Sequence, residues 1–319
     1  LPTAPEELWL NQREFAVEYR HLRSFAVLAE ELHFGRAAAR LNIAQPALSQ
    51  HIKVLEEALG VPLFTRDKRH VALTFEGEQL AEEARSAISH YEKFSDSARS
   101  LRQGFRGRIR LGYVGSSILD PAMTLLINGY RARQPETEII IEEHNVTRQL
   151  AQLVSDHLDI GLVRSPVPHS PELEYLYIAT RPLIAVLPQG HPLAGQSGVA
   201  LSALAEMPFL IQDDPPGTGL GWSALSACER AGFVPQPIQY TRDVAVATGL
   251  VAIGMGAALV PETQRAMLMS DVGYSTLQDA QATTTLTLCW KRHARNGALK
   301  GFVRYVKELI ATSETPFSD

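Results

Sequence analysis

The sequence predicts an α/β protein in three parts: an N-terminal winged helix-turn-helix, a long linker helix and a two-lobed Rossmann-like body. Three observations carry this. Residues 21–60 hold two short helical runs and a third with a polar outer face, followed by a basic hairpin. Apolar residues then step in heptads along 80–105. From residue 108 onward, strand and helix patterns alternate, which implies parallel strands joined by crossover helices.

Length and composition bound the answer. The chain has 319 residues, enough for two or three domains. Apolar residues make up 45% and charged residues 20%, the balance of a globular protein. No apolar run reaches the roughly 18 residues of a membrane span, so no membrane partner is expected. No basic stretch precedes an apolar core near the start, which reads as a cytoplasmic protein. Residues 1–18, beginning at Leu1, read as an extension or cloning remnant outside the fold. Cys228 and Cys289 have neither CxxC spacing nor a neighbouring histidine cluster, so no metal, redox centre or other cofactor is expected. The net charge of −5 hides a division. Residues 20–75 carry eight basic and five acidic side chains, a surplus of three, which leaves −8 on the remainder. A basic head on an acidic body is the charge footprint of a modular nucleic-acid binder.

The head, 19–76, is read element by element. Leu22, Phe25, Ala26, Leu28, Ala29 and Leu32 keep helical spacing, and Gly35 is expected to break it. A short helix follows from Arg36 to Leu41, and its alanines permit close helix approach. Asn42-Ile43-Ala44 makes the turn. Gln45-Pro46 opens the third helix, where proline needs no amide donor, and Gly60 closes it. Leu48, Ile52, Leu55 and Leu59 face inward while Ser49, Gln50 and Lys53 face outward. A helix of this kind fits the major groove. Gln45 and Gln50 suit adenine edges, Ser49 a base or phosphate, and Lys53 a phosphate. Arg36 is placed with this DNA-facing set. Leu63-Phe64 and Val71–Leu73 read as two strands, with Arg66, Lys68 and Arg69 at the tip for phosphate or minor groove.

The linker helix, 77–106, carries Leu80, Ala84, Ala87, Tyr91, Phe94, Ala98, Leu101 and Phe105 on a strict heptad seam. A seam sustained this long predicts a helix paired with another copy. Gly104 and Gly107 are expected to end it, and Arg106–Arg110 to form a hinge.

The body divides into one lobe from 107–179 plus 284–319 and a second from 180–283. Strands are expected at 108–115, 138–143, 159–164, 183–187, 209–212, 257–260 and 286–290. Helices are expected at 119–133, 147–157, 223–232, 244–254 and 300–312. The crossings between lobes fall near Ile178–Pro182 and Asp279–Thr285. Ligands in such sheets lie beyond the carboxyl ends of strands. Ser116 and Ser117 sit at one such end and at an expected helix N-terminus, an arrangement that suits a carboxylate. Asn145, Thr147 and Arg164 end neighbouring strands on the same side. The loop from Gln212 through Thr218 to Gly219 supplies the second lobe's wall.

The residues from Phe25 to Gly60, with Leu63-Phe64 and Leu73-Thr-Phe-Glu-Gly77, resemble the N-terminal signature of LysR-type transcriptional regulators. The resemblance implies that Gln45, Pro46, Ala47, Ser49 and Gln50 lie at DNA and that Arg69 contacts the minor groove. Many relatives carry arginine where this chain has Gln50, so base preference does not transfer there. It also implies that the linker helix makes a dimer. The body resembles the family's effector domain, itself similar to periplasmic solute-binding proteins. Gly112-Tyr-Val-Gly-Ser116 and Gly249–Gly256 resemble the subgroup that controls aromatic-compound breakdown through muconate or benzoate. The partners implied are promoter DNA, a small-molecule effector, RNA polymerase and further copies of the chain, as homodimer or homotetramer. Effector binding is expected to alter promoter binding or bending.

No enzyme is expected. Gly254-Met-Gly256 follows a helix, lacks a third glycine and precedes a strand, the wrong order for a dinucleotide loop. No GxSxG, Walker, HExxH or paired-carboxylate pattern occurs. Two rival classes are a solute-binding protein, which the basic head opposes, and an architectural DNA protein, which the two-lobed body opposes.

Overall fold

A computed structural model describes residues 17–66, 71–102, 107–236 and 238–312. The chain falls into two compact units that divide between Ala98 and Arg99.

In the first unit, α1 (Tyr19–Glu31) ends where Leu32 turns left-handed at φ 45°. The next helix, α2 (Phe34–Leu41), begins at His33, whose Nδ1 accepts the Arg36 N–H at 3.1 Å. Gly35 therefore does not break the first helix; it lies inside α2. The break falls earlier, at Leu32 and His33, because the His33 ring caps the new helix, and a Cβ at Gly35 would press to 3.0 Å from that ring. Asn42, left-handed at φ 56°, ends α2. The third helix, α3 (Gln45–Leu59), takes Pro46 in its first turn and stops at Gly60, φ 72°. Leu48, Ile52 and Leu55 are fully buried against Phe25, Leu28 and Ala37. Val17 packs on the same core, and the Glu18 N–H donates to His21 Nδ1 at 3.1 Å. These two residues thus belong to the head rather than to the terminal extension, of which residues 1–16 lie outside the described residues.

The wing pairs β1 (Phe64–Arg66) with β2 (Val71–Leu73), antiparallel, Phe64 opposite Leu73. The Glu56 carboxylate on α3 accepts the N–H groups of Leu63 and Phe64 at 2.9 and 3.2 Å, fixing the wing to the helix. Residues 67–70, with Lys68 and Arg69, lie outside the described residues. The long helix α4 (Phe75–Arg102) starts immediately afterwards. Gly77 permits this start: a Cβ there would collide with the Leu63 carbonyl.

In the second unit the described strands form one nine-stranded sheet. The strand β3 (Gly107–Tyr113) runs parallel to β4 (Thr137–Glu143) and β5 (Ile160–Ser165). The crossovers are α5 (Pro121–Arg133) and α6 (Val146–Val154), as the βαβ pattern requires. The expected hinge is corrected here. Residues 107–110 are the start of β3, paired from Gly107 opposite Thr137, because Ile109 and Leu111 are both fully buried. Residues 103–106 lie outside the described residues.

A sixteen-residue strand, β6 (Leu173–Pro188), joins the lobes. Beyond it come β7 (Phe209–Gln212), α7 (Gly219–Arg230), β8 (Ile238–Thr241), α8 (Val244–Ala252), β9 (Ala257–Pro261), β10 (Val272–Thr276), β11 (Thr283–Lys291) and α9 (Gly297–Thr312). Up to Pro182, β6 pairs with β11; from Leu183 it pairs with β9, and from Ile184 also with β10. The chain therefore passes between lobes at Pro182–Leu183 and returns at Thr283. One core surrounds Ile109, Leu126, Leu288 and Phe302, a second Val186, Phe209, Cys228 and Val260, and a smaller one Leu153, Val163 and Cys289. The first half of β6, together with β8 and β10, went unread in the sequence. β8 is an edge strand with Gln239 and Tyr240 exposed, and β10 is interrupted by Gly273, so neither shows an apolar run. The Gly254-Met-Gly256 turn has a packing reason: a Cβ at Gly256, φ 146°, would collide with the Pro208 carbonyl.

Candidate functional site

Two sites emerge, one in each unit. On the head, Gln45, Pro46, Ala47, Gln50 and Lys53 stand exposed along the outer face of α3, with Ser49 half-buried. The face is held from behind. His51, on the same helix, is 2.8 Å through its Nδ1 from the buried Ser24 Oγ on α1, and its ring meets that of buried His21 edge-on at 5.5 Å. Burial lowers the His21 pKa, so its ring stays neutral near pH 7. These three residues went unnoticed in the sequence; a histidine in each of two adjacent helices was the only signal.

The basic side chains of the head are not all equally available. Arg36 donates to the Glu31 carbonyl at 2.6 Å and to its carboxylate at 3.2 Å. Arg40 reaches Glu30 and Glu31 at 2.7 and 3.1 Å, and Lys53 lies 3.6 Å from Glu57. All are solvent-exposed pairs, so each contributes little to stability and is open to exchange for a phosphate.

In the body, a cavity of about 620 Å³ opens between the lobes at the carboxyl ends of β3, β4 and β5. Ser116, Asn145 and Arg164 line it from one lobe, Gln212, Asp213 and Asp243 from the other. Not every expected residue is there. Ser116 and Ser117 lie in a single 3-10 turn, and α5 begins only at Pro121, capped by the Asp120 carboxylate. The expected helix N-terminus is therefore already filled. Ser117 is fully buried and its hydroxyl donates to the Val114 carbonyl at 2.7 Å, so it is not free for a ligand. Thr147 is exposed on the first turn of α6 and Thr218 is buried beside Pro216; neither lines the cavity. Asn145 does line it, but its Oδ1 caps α6 by accepting the Arg148 N–H at 2.9 Å.

The electrostatics centre on Arg164, which is 1% exposed. Its Nε donates to Ser116 Oγ at 3.3 Å and its Nη2 to the Ser116 carbonyl at 3.0 Å. Nη2 also lies 3.5 Å from Asp120, whose carboxylate receives two bonds from Arg181 at 2.8 and 3.2 Å. Two guanidinium groups thus share one carboxylate. The Arg164 Nη1 has no hydrogen-bond partner. Burial pushes the Arg164 pKa down to about 10, opposed by Asp120, so the group stays protonated at neutral pH. Burial alone would raise the Asp120 carboxyl, but the hydrogen bonds from Arg181 and the Ala122 N–H and the two positive charges hold it below the usual carboxylate range. Asp214, in the other wall, is the reverse: burial pushes it up, although it accepts the Gly221 N–H at 3.0 Å.

Sequence reasoning missed three members of this network: Asp120, Arg181 and Gln264. Gln264, also buried, comes from the second lobe and donates through Nε2 to the Ser116 carbonyl at 3.1 Å. Ser116 is thus a joint between lobes as well as a wall of the cavity.

Residues 19–78 match the model of the bacterial regulatory helix-turn-helix protein, lysR family, and residues 102–311 match the LysR substrate binding domain. The uncharacterized HTH-type transcriptional regulator YnfL of Escherichia coli K12 is 35% identical, over 90% of this chain and 96% of its own. The Hca operon transcriptional activator HcaR of the same organism is 33% identical, over 93% and 99%. The crystal structure of CbnR, a LysR family transcriptional regulator, superposes with a TM-score of 0.72 at 21% identity, covering 95% of this chain and all of that one.

Proposed function

The chain belongs to the LysR family of DNA-binding transcriptional regulators, and from that premise we propose that it senses a small acid, carrying one carboxylate, in the cavity between its lobes. The observation that carries this is Arg164: a buried, protonated guanidinium with an unpartnered Nη1 at the cavity wall. The cationic centre is therefore an arginine, in place of the helix N-terminus expected from sequence. Ser116 stands beside it. Its Oγ accepts from Arg164, which leaves the O–H to donate to a ligand. The lining also carries Glu143 from the first lobe and Asp213 and Asp243 from the second, against two further arginines, Arg148 and Arg242, so a second carboxylate on the ligand meets more negative than positive charge. A monocarboxylate with an aromatic or apolar tail fits better than a dicarboxylate such as muconate.

The rest of the reading follows the modular layout. α3 and the wing read promoter DNA, the exposed face of α4 pairs copies into a dimer, and two dimers form a tetramer in the cytoplasm that acts on RNA polymerase. A ligand bridging the lobes at Ser116 favours one lobe angle over another. It shifts the population only by its difference in affinity between the two, and so alters promoter binding or bending. The test is calorimetric titration with benzoate, phenylpropionate and muconate. Benzoate or phenylpropionate is expected to bind more tightly than muconate. Ser116→Ala is expected to lose about tenfold in affinity, the worth of one charge-assisted hydrogen bond of about 1.5 kcal/mol. Equal affinity in wild type and variant moves the site elsewhere; tighter muconate binding refutes the single-carboxylate reading.

A further inference from the structure

A second cavity, about 700 Å³, lies where the two lobes are joined, and none of its lining residues lines the Arg164 cavity. Its inner wall is made of hydroxyls. Thr283, Thr285 and Thr287 alternate along one face of β11, the returning strand, and Ser165 closes the end of β5. The first lobe adds Tyr177, 70% exposed, and the second adds Ser223 from α7.

Two features mark this as a place for a ligand. The hydroxyls are held in fixed pairs: Ser165 and Thr287 at 2.7 Å, Thr180 and Thr285 at 3.1 Å. Each pair uses one O–H internally and keeps the other, with free lone pairs, for a guest. The size is within the range of small-molecule sites, roughly 300–1,000 Å³.

We propose that this cavity binds a neutral ring compound bearing several hydroxyl groups. Charge selects for neutrality: the lining carries one arginine, Arg292, whose Nε is bonded to the Pro171 carbonyl, against one carboxylate, Glu174. Hydroxyl walls both donate and accept, which matches hydroxyl-bearing guests. The open Tyr177 ring supplies a flat face for a sugar ring or an aromatic ring to lie on. Because both lobes contribute, this site is sensitive to the lobe angle, as the Arg164 cavity is.

The experiment is saturation-transfer NMR on the full chain with four probes: glucose, cellobiose, uridine and catechol. At least one is expected to bind, and which one separates a carbohydrate from a nucleoside or a phenol. Thr285→Val and Tyr177→Ala, at half-buried and exposed positions, are each expected to weaken it at least fivefold. Glu206→Ala, at an exposed position that lines neither cavity, is expected to leave it intact. No transfer from any probe at millimolar concentration overturns the proposal. So does binding that survives both substitutions, or that Glu206→Ala abolishes.

Discussion

Two guanidinium groups, Arg164 and Arg181, converge on the Asp120 carboxylate in a site with almost no solvent, and this sets what each residue contributes. Sequence made Arg164 a site residue from its place at a strand end. It was silent on Asp120 and Arg181, because the three lie far apart in the chain and only the fold brings them together. Ser117 shows the opposite failure. Two adjacent serines look equivalent in sequence, yet one hydroxyl faces the cavity and the other is spent on the Val114 carbonyl. Asp120→Asn removes the carboxylate that both buried guanidinium groups share, and the body is expected to lose about 3–5 kcal/mol in urea unfolding. A pH series checks the sign. The folded-state pKa of Asp120 lies below its ordinary value of 3.8, so its contribution is full above that value and is lost as pH falls through the lower one. The stability gap between wild type and Asp120→Asn is therefore expected to be constant from about pH 5 to 8 and to narrow below about pH 4. A gap that grows in acid contradicts the network.

At the scale of elements, α4 separates what periodicity tells from what it cannot. The heptad seam from Leu80 to Leu101 is real as a pattern, but it covers two different contacts. Ala84 is 4% exposed and, with Leu80, packs into the head of its own chain. Those two are therefore corrected: they stabilise the head rather than a dimer. Tyr91 stacks on Tyr19 at 4.3 Å yet is half exposed, while Ala87, Phe94 and Leu101 lie open. Hydrophobic spacing shows which face of a helix wants cover. Which partner covers each stretch depends on what the fold places beside it. The two halves are thus expected to respond differently. Phe94→Asp with Leu101→Asp is expected to turn a dimer into monomer in sedimentation velocity at micromolar concentration, with the melting of the head unchanged. Ala84→Asp buries a charge in the head core and is expected to lower head stability by several kcal/mol, read by circular dichroism. A double variant that stays dimeric removes α4 from the interface.

For the molecule as a whole, charge division and alternating patterns made the architecture legible: a basic head, an acidic body, and strands and helices in βαβ order. What stayed hidden was the way acidic partners discount individual cations, since pairing depends on geometry. Arg36 and Arg40 sit against Glu30 and Glu31, so binding a phosphate there must first break an existing pair. The tip position of Arg69, after Lys68, suits a phosphate or the minor groove, and the family resemblance implies the minor groove. Three variants separate charge from reading. Arg69→Ala removes one cation from the interface, so the slope of log affinity against log salt is expected to flatten by about 0.9. Arg40→Ala also removes a cation, but one already neutralised, and its slope is expected to change by less than half of that. Gln45→Ala removes no charge. Its slope is expected to match the wild type, while discrimination against a mismatched base pair falls by about 1–3 kcal/mol. Gel shifts on a promoter fragment and on point-substituted versions, between 50 and 200 mM salt, measure all three at once. If Gln45→Ala weakens every sequence equally, that side chain positions the head without reading bases. If Arg40→Ala flattens the slope as much as Arg69→Ala, the glutamates release Arg40 to the DNA, and the local pairing seen in α2 does not govern binding.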